Sequence, residues 1–229
     1  MRNVIEYLPL LSRGFALTVG LALLSLALAT VLGGLACAGR VIGGPVARAA
    51  VLVYTTIVRG VPDLVMLLLI YFGGQRLVNL VASALGLGQI SVSPFLAGVI
   101  AIGFIYGAYL AETFRGAYLA IPRGQVEAAS ALGLRGWPLF ARVVLPQLAR
   151  FALPGYGNTW QVLVKSTAVV SVIGLRDIVG LAGDAGKSVR DPFTFFVVVL
   201  GAYLLITWSS TQALDAAARR VNRGYADAR

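Results

Sequence analysis

The sequence predicts an all-α, polytopic membrane protein: five transmembrane helices and a helix-turn-helix loop on the cytoplasmic side. Three observations carry that prediction. Hydrophobic residues make up 59% of the 229, and only 12% are charged, about half the charged share of a soluble domain. The mean hydropathy is +0.86, and it is concentrated in uncharged runs of the roughly 20 residues that a helix needs to cross a bilayer core. The net charge of +10 resides in residues set between those runs, the arrangement of a positive-inside membrane protein rather than of a nucleic-acid surface. The chain is too apolar for disorder and lacks the alternation of an outer-membrane barrel. With one cysteine and no histidine, neither a disulfide framework nor the usual zinc or haem ligands are available, and no metal site is expected.

The elements follow in order. The first span, 14–39, is free of charge between Arg13 and Arg40. Ala36-Cys37-Ala38 within it resembles a signal-peptidase site, but the apolar run before it far exceeds the roughly 7–15 residues of a signal core, so the segment reads as a retained helix. A second span, 49–74, contains Arg59 and Asp63; a third, 94–115, follows Pro94. The fourth, 151–175, contains Lys165, and the fifth, 192–214, is apolar again. Gly43-Gly44-Pro45, Gly86-Leu87-Gly88 and Arg190-Asp191-Pro192 punctuate them. The whole chain, 1–229, reads as a single membrane domain without an internal repeat. With the N-terminus outside, eleven Lys/Arg fall on the cytoplasmic side, Arg223 and Arg229 among them, and six on the other. That asymmetry and the odd number of spans give N-out, C-in.

A charge at the bilayer centre costs about 3 kcal/mol on insertion scales, so Arg59, Asp63, Glu112 and Lys165 are expected to avoid lipid. Arg59 and Asp63 are four apart and would share one face of a helix, close enough to pair, with Pro62 bending it between them. Tyr109, Glu112 and Arg115 recur every third residue as one stripe. Gln161, Lys165, Ser166 and Thr167 form a second polar stripe. Each of these charges reads either as lining a pathway or as stapling helices together. Gly103 and Gly107 allow close helix approach.

Between the third and fourth spans, the stretch from Arg115 to Arg150 has five arginines and one acid, Glu127. Gln125 to Leu132 are small helix formers ended by Gly133; Trp137-Pro138 opens a second short helix whose apolar side is Leu139, Phe140, Val143 and Val144. An alanine-surfaced helix-turn-helix of this kind suits insertion into a groove on another protein.

The run Glu127-Ala128-Ala129, three residues, Gly133, nine residues, and Val143-Val144-Leu145-Pro146 resembles the coupling-loop signature of membrane subunits of bacterial ABC importers. Arg59-Gly60-Val61-Pro62-Asp63, Tyr106-Gly107-Ala108-Tyr109, Glu112-Thr113-Phe114-Arg115-Gly116 and Ala152-Leu153-Pro154-Gly155 are similar to the polar amino-acid branch. Gly157 to Val162 and Leu163 to Ala168 are similar to Q-type permeases of histidine/lysine/arginine/ornithine importers. The resemblance implies the fold of a type I ABC importer permease in the bacterial inner membrane. It implies a second permease subunit as partner, either an M-type relative or another copy. Two ATPase subunits would hold ATP and Mg, and an external solute-binding protein would deliver substrate. On the matching positions, Glu127, Ala128, Ala129 and Gly133 (coupling loop 124–146) are expected to contact the ATPase. Asp63 is the expected counter-charge for a cationic substrate, with Glu112 second and Arg59, Tyr109, Gln161 and Lys165 along the pathway. The cargo expected is a basic amino acid, with another polar amino acid or an opine as alternative.

Gly183 to Ser188 imitates a phosphate loop, but the glycine needed five residues before Gly186 is Leu181. Arg176, Asp177, Asp184, Lys187, Arg190 and Asp191 are instead expected to form a hydrated face toward the delivery protein. A stand-alone secondary transporter, the chief alternative of another class, would be short at five spans and lacks visible inverted repeats; an intramembrane enzyme lacks a nucleophile–base pair.

Overall fold

The structure, a computed structural model, describes residues 2–222; Arg223 and Arg229 of the charge count lie outside the described residues. Those residues are helical with short connections and contain no strand. In order they form α1 (Arg2–Val41), α2 (Pro45–Gly60), α3 (Asp63–Ala84), α4 (Pro94–Leu119), α5 (Arg123–Ala131) and α6 (Gly136–Leu139). A π-helical stretch, Phe140–Val144, leads into α7 (Leu145–Ser166), and a 3₁₀ stretch, Thr167–Ile173, leads to α8 (Ile178–Ser188) and α9 (Pro192–Val221).

Helix α4 is the axis of the bundle. Ala97, Ala101, Ile102, Ile105, Tyr106, Ala108 and Leu110 on it are all buried, and α1, α2, α3 and α7 pack around it. Small residues make this possible. A Cβ on Gly103 would stand 2.6 Å from Leu28 of α1, and one on Gly33 of α1 would stand 2.7 Å from Leu110 of α4. The two backbones come close where the sequence places glycine on either side. The outward faces remain greasy: Phe193, Val197, Leu200, Leu204 and Trp208 are exposed at intervals of three or four along α9, an apolar stripe suited to lipid.

Among the described residues four helices, Val4–Val41 of α1, α3, α4 and α9, are long and apolar enough to cross a membrane. The interval 49–74, expected as one span, is divided between α2 and α3. Gly60 ends α2, Val61 is extended at φ −109°, ψ 138°, and α3 restarts at Asp63. The physical reason is Pro62: besides lacking an N–H, it crowds the residue before it out of the helical region. The fourth interval is displaced too, since α7 begins at Leu145 and gives way to 3₁₀ geometry at Thr167.

The bundle has two distinct ends. The C-terminal parts of α1 and α4, the helices α5 and α6, and the start of α7 meet at one, named the coupling end after the expected role of its loop. Arg150 there donates to Asn222 beyond α9 at 2.9 Å, tying the end of the last helix to the same side. At the opposite end the first half of α1 holds α8: Tyr7 shares a hydrogen bond with Ser188, and the Ile178 amide donates to Thr18 Oγ1 at 3.2 Å.

Candidate functional site

The side chains singled out in the sequence gather in two places, one inside the bundle and one at the end that carries the loop 124–146. The interior one begins with the break between α2 and α3. Because α3 starts anew at Asp63, its carboxylate occupies the first turn, where the helix dipole favours negative charge, while Arg59 occupies the last turn of α2, where it favours positive charge. Asp63 reaches across to α4 and α7. Tyr106 Oη donates to Asp63 Oδ2 at 2.8 Å, Ser166 Oγ lies 3.2 Å from the same oxygen, and the two hydroxyls are 2.5 Å apart. Each hydroxyl has one proton, so a chain in which Ser166 donates to Tyr106 and Tyr106 to Asp63 uses each proton once. Oδ1 of Asp63 makes no hydrogen bond among the described residues.

Arg59 goes elsewhere. Its guanidinium lies 5.4 Å from the centre of the Tyr109 ring, within cation–π range, and Tyr109 in turn stacks on Tyr106 at 5.5 Å. The expected pairing of Arg59 with Asp63 is therefore absent among the described residues: the break at Val61–Pro62 removes the shared helical face on which the pairing was based. Arg59 is exposed and Asp63 half-buried. The space enclosed by Asp63, Leu67, Ile102, Tyr106, Ser166 and Val169 is only about 10 Å³, room for a water at most.

The stripe Tyr109, Glu112 and Arg115 is real, and Arg115 Nε donates to Glu112 Oε2 at 2.8 Å. Glu112 is thus neutralised within its own helix. The second stripe divides: Gln161 Nε2 donates to Thr211 on α9 at 3.0 Å, Ser166 faces Asp63, buried Thr167 bonds Tyr203, and Lys165 is exposed without an ion pair among the described residues. The 3₁₀ onset at Thr167 turns neighbouring side chains to different partners. Tyr106 and Ser166, the two partners of Asp63, stand outside the pathway residues that sequence reasoning selects. The signal available for Tyr106 is its position three residues before Tyr109, on the same face; for Ser166 it is membership of the second stripe.

At the coupling end, α5 presents Glu127 and Ala128 to solvent and buries Ala129 against its own subunit. Gly133 closes the helix at φ +85°, with Leu134 N–H donating to Ala129 O at 3.1 Å and Gly133 N–H to Ser130 O at 3.0 Å, the six-to-one and five-to-two bonds of a Schellman motif. A second left-handed glycine, Gly136 at φ +58°, turns the chain into α6. From there helix runs without a break to Ser166, so the second short helix is the N-terminal extension of α7.

The face expected to be hydrated is mostly so. Arg176, Asp184, Lys187 and Arg190 are exposed, and Arg176 approaches Asp184 at 3.6 Å. Asp177 is the exception and corrects the expectation: it is wholly buried, Oδ1 accepts from the Gly180 amide at 2.9 Å as the cap of α8, and Oδ2 has no partner among the described residues. Gly183 to Ser188 are the last turns of α8, a geometry with no phosphate-cradling loop.

Residues 29–224 match the family described as binding-protein-dependent transport system inner membrane component. The chain belongs to that family. This permease is 45% identical over 212 residues to the histidine/lysine/arginine/ornithine transport system permease protein HisQ of Escherichia coli (strain K12), covering 93% of each chain. It is 41% identical to the octopine transport system permease protein OccQ of Rhizobium radiobacter, covering 93% of this chain and 90% of the relative. Among solved structures, an amino acid ABC transporter with histidines superposes with a TM-score of 0.80 at 28% identity, covering 95% of the permease and 96% of that chain. An inward-facing MetNI methionine ABC transporter superposes at 0.73 and 21% identity over 95% of this chain and 99% of its own, a likeness of fold. The permease is accordingly an all-helical transport subunit of an ABC importer of type I fold, situated in the inner membrane, and not an enzyme.

Proposed function

We propose that this permease imports basic amino acids by alternating access, with Asp63 as the counter-charge for the substrate's cationic side chain. The carrying observation is an intramembrane carboxylate at a helix break, with Oδ2 held by Tyr106 and Ser166 and Oδ1 left unengaged among the described residues. Discontinuous helices are where a membrane transporter can expose polar backbone and charge to a substrate rather than to lipid. Kinship to permeases whose names specify histidine, lysine, arginine, ornithine and octopine supports the same class of cargo. Glu112, already paired with Arg115, is the weaker candidate. Arg59, on the opposite side of the break, suits the substrate's carboxylate. Tyr109 presents its ring beside it, and Gln161 and Lys165 lie further along α7.

The membrane is crossed five times: by α1, by the broken pair α2–α3, and by α4, α7 and α9, with the N-terminus outside and the coupling end in the cytoplasm. A second permease, either an M-type relative or another copy, completes the pathway. Two ATPase subunits bearing ATP and Mg clasp Glu127, Ala128, Ala129 and Gly133, and a solute-binding protein docks on the exposed charges of α8. ATP binding draws the ATPases together, and the continuous helix from Gly136 to Ser166 carries that motion to Ser166, one of the two hydroxyls on Asp63. The closed space at Asp63 must widen for substrate, since pockets for small molecules are roughly tens of times larger.

In the reconstituted complex, Asp63→Asn is expected to lower arginine and lysine uptake about tenfold or more, the scale of one lost charge contact in a low-dielectric site, while basal ATP hydrolysis persists. Unchanged uptake would remove Asp63 from the pathway. Competition by octopine stronger than by arginine would favour an opine as cargo.

A further inference from the structure

The hydroxyls around Asp63 Oδ2 join three helices at one point. Asp63 opens α3, Tyr106 stands at the middle of α4, and Ser166 is the last residue of α7. Ser166 meets both of the others, and these are the side-chain hydrogen-bond contacts of α7 with α4 and α3 among the described residues. Tyr106 is 2% exposed, so water does not compete for its hydroxyl. A hydrogen bond donated to an ionised carboxylate is roughly twice as strong as one to a neutral acceptor.

The helix that carries Ser166 lies between two departures from α geometry. The π-helical stretch Phe140–Val144 precedes α7 at the coupling end, and the 3₁₀ stretch Thr167–Ile173 follows directly after Ser166. Both kinds of irregularity recur at functional hinges. Between them α7 approaches α4 through small groups: a Cβ on Gly155 would stand 2.7 Å from the Thr113 methyl. That contact carries no polar tie, because the Thr113 hydroxyl donates to Tyr109 O within its own helix. Ser166 is therefore the polar anchor of α7 on the axial helix, at the end of α7 remote from the coupling loop.

We propose that Tyr106 and Ser166 are positioning residues that latch α7 onto Asp63 while no substrate is bound, and that the substrate's cation opens the latch. A cation arriving at Oδ1, the oxygen left unengaged among the described residues, neutralises the carboxylate and weakens the bonds on Oδ2. The released α7 can follow the ATPases, and the enclosure about Asp63 widens with the same movement. With the pathway empty, the latch holds α7 back and restrains ATP hydrolysis. The trigger rests on the proposed role of Asp63 as counter-charge; the latch rests on the hydroxyl geometry alone.

The test is ATP hydrolysis by the assembled complex in nanodiscs, first without substrate or solute-binding protein, then with arginine and that protein together. Tyr106→Phe keeps the buried ring and removes only its hydroxyl; Ser166→Ala removes the other hydroxyl and serves if the first variant fails to assemble. Each is expected to raise unstimulated hydrolysis about tenfold, the scale of one hydrogen bond to a charged group. Stimulation by arginine should shrink in proportion. Thr113→Val takes a hydroxyl from the same α4–α7 contact without touching Asp63 and should keep the unaltered rate. Unstimulated hydrolysis that is unchanged or lowered in both hydroxyl variants would overturn the proposal, as would an equal rise in Thr113→Val. Uptake by Asp63→Asn reads the counter-charge separately. Normal uptake there, beside raised hydrolysis in the hydroxyl variants, would overturn the cation as trigger and leave the latch standing.

Discussion

At the scale of single residues, the most unusual group is Asp177. A carboxylate with no exposed surface and one oxygen unpartnered among the described residues is poorly placed to ionise, and burial pushes its pKa up from 3.8 to about 6 against the opposing hydrogen bond from the Gly180 amide. Because the folded-state value lies above the unfolded one, the native protein binds the extra proton between about pH 4 and 6. Its stability therefore falls as pH rises through that window, by about 3 kcal/mol once the carboxylate is fully charged. Asp177→Asn keeps a side-chain oxygen to cap α8 and removes the ionisation. Thermal unfolding between pH 4 and 8 is expected to show the decline in the unaltered protein and a flat profile over the same range in Asp177→Asn. Parallel profiles would mean that Asp177 is not the titrating group. Nothing in the neighbouring residues signals this burial: Asp177 follows Arg176 and precedes a helix with further charges, and only the docking of the α8 N-terminus against Thr18 and Gly14 of α1 encloses it.

At the scale of elements, the coupling loop was the most legible part of the chain, and for a physical reason. Small helix formers, a left-handed terminator and a proline two residues after the next glycine are local signals, and α5, Gly133 and α6 stand where those signals stand. The α2–α3 break was half legible. Pro62 announced a bend, but whether the chain recovers its helix after a proline depends on what the freed groups find, and here Asp63 finds Tyr106 and Ser166 on other helices. Neither partner could be read from residues 59–63. The internal geometry of α5 separates two alanines that look identical in the sequence. Ala128 is exposed and Ala129 is 7% exposed, so a larger side chain at Ala128 meets only a partner, whereas one at Ala129 disturbs the loop itself. Ala128→Leu is expected to leave the subunit's expression and melting temperature within about 1 °C of normal while reducing co-purified ATPase severalfold. Ala129→Leu should lower both stability and co-purification, with overpacking costing about 1–3 kcal/mol. Equal losses of thermal stability in the two variants would contradict this division of the helix.

At the scale of the whole molecule, the two ends of the bundle differ in kind, and that difference is what a membrane must resolve. One end offers the alanine-surfaced α5 and arginines on both sides of it; the other offers α8 with Arg176, Asp184, Lys187 and Arg190. The fold itself followed from composition because apolar runs can only be helices when no water is present to satisfy the backbone. The rotation of each helix about its own axis did not follow, because the spanning lengths of α1 and α3 carry apolar side chains nearly all the way round and α4 gathers its polar stripe, Tyr109, Glu112 and Arg115, only in its C-terminal half, which leaves little polar face to set against lipid. Their packing is settled instead by glycine contacts such as Gly103 against Leu28 and Gly33 against Leu110. Which end faces inward rests on the arginine count, and it can be tested without any knowledge of substrate. Cys37, buried and the one cysteine of the chain, is first replaced by serine. Lys187→Cys and Ala128→Cys then place single thiols on exposed positions of opposite ends. In intact cells a membrane-impermeant maleimide admitted through the outer membrane should label Lys187→Cys at once. It should label Ala128→Cys only after the inner membrane is permeabilised and ATPase subunits are stripped away. The reverse pattern would place α5 outside, where it could meet no ATP-driven partner, and the coupling role of Glu127, Ala128, Ala129 and Gly133 would have to be abandoned with it.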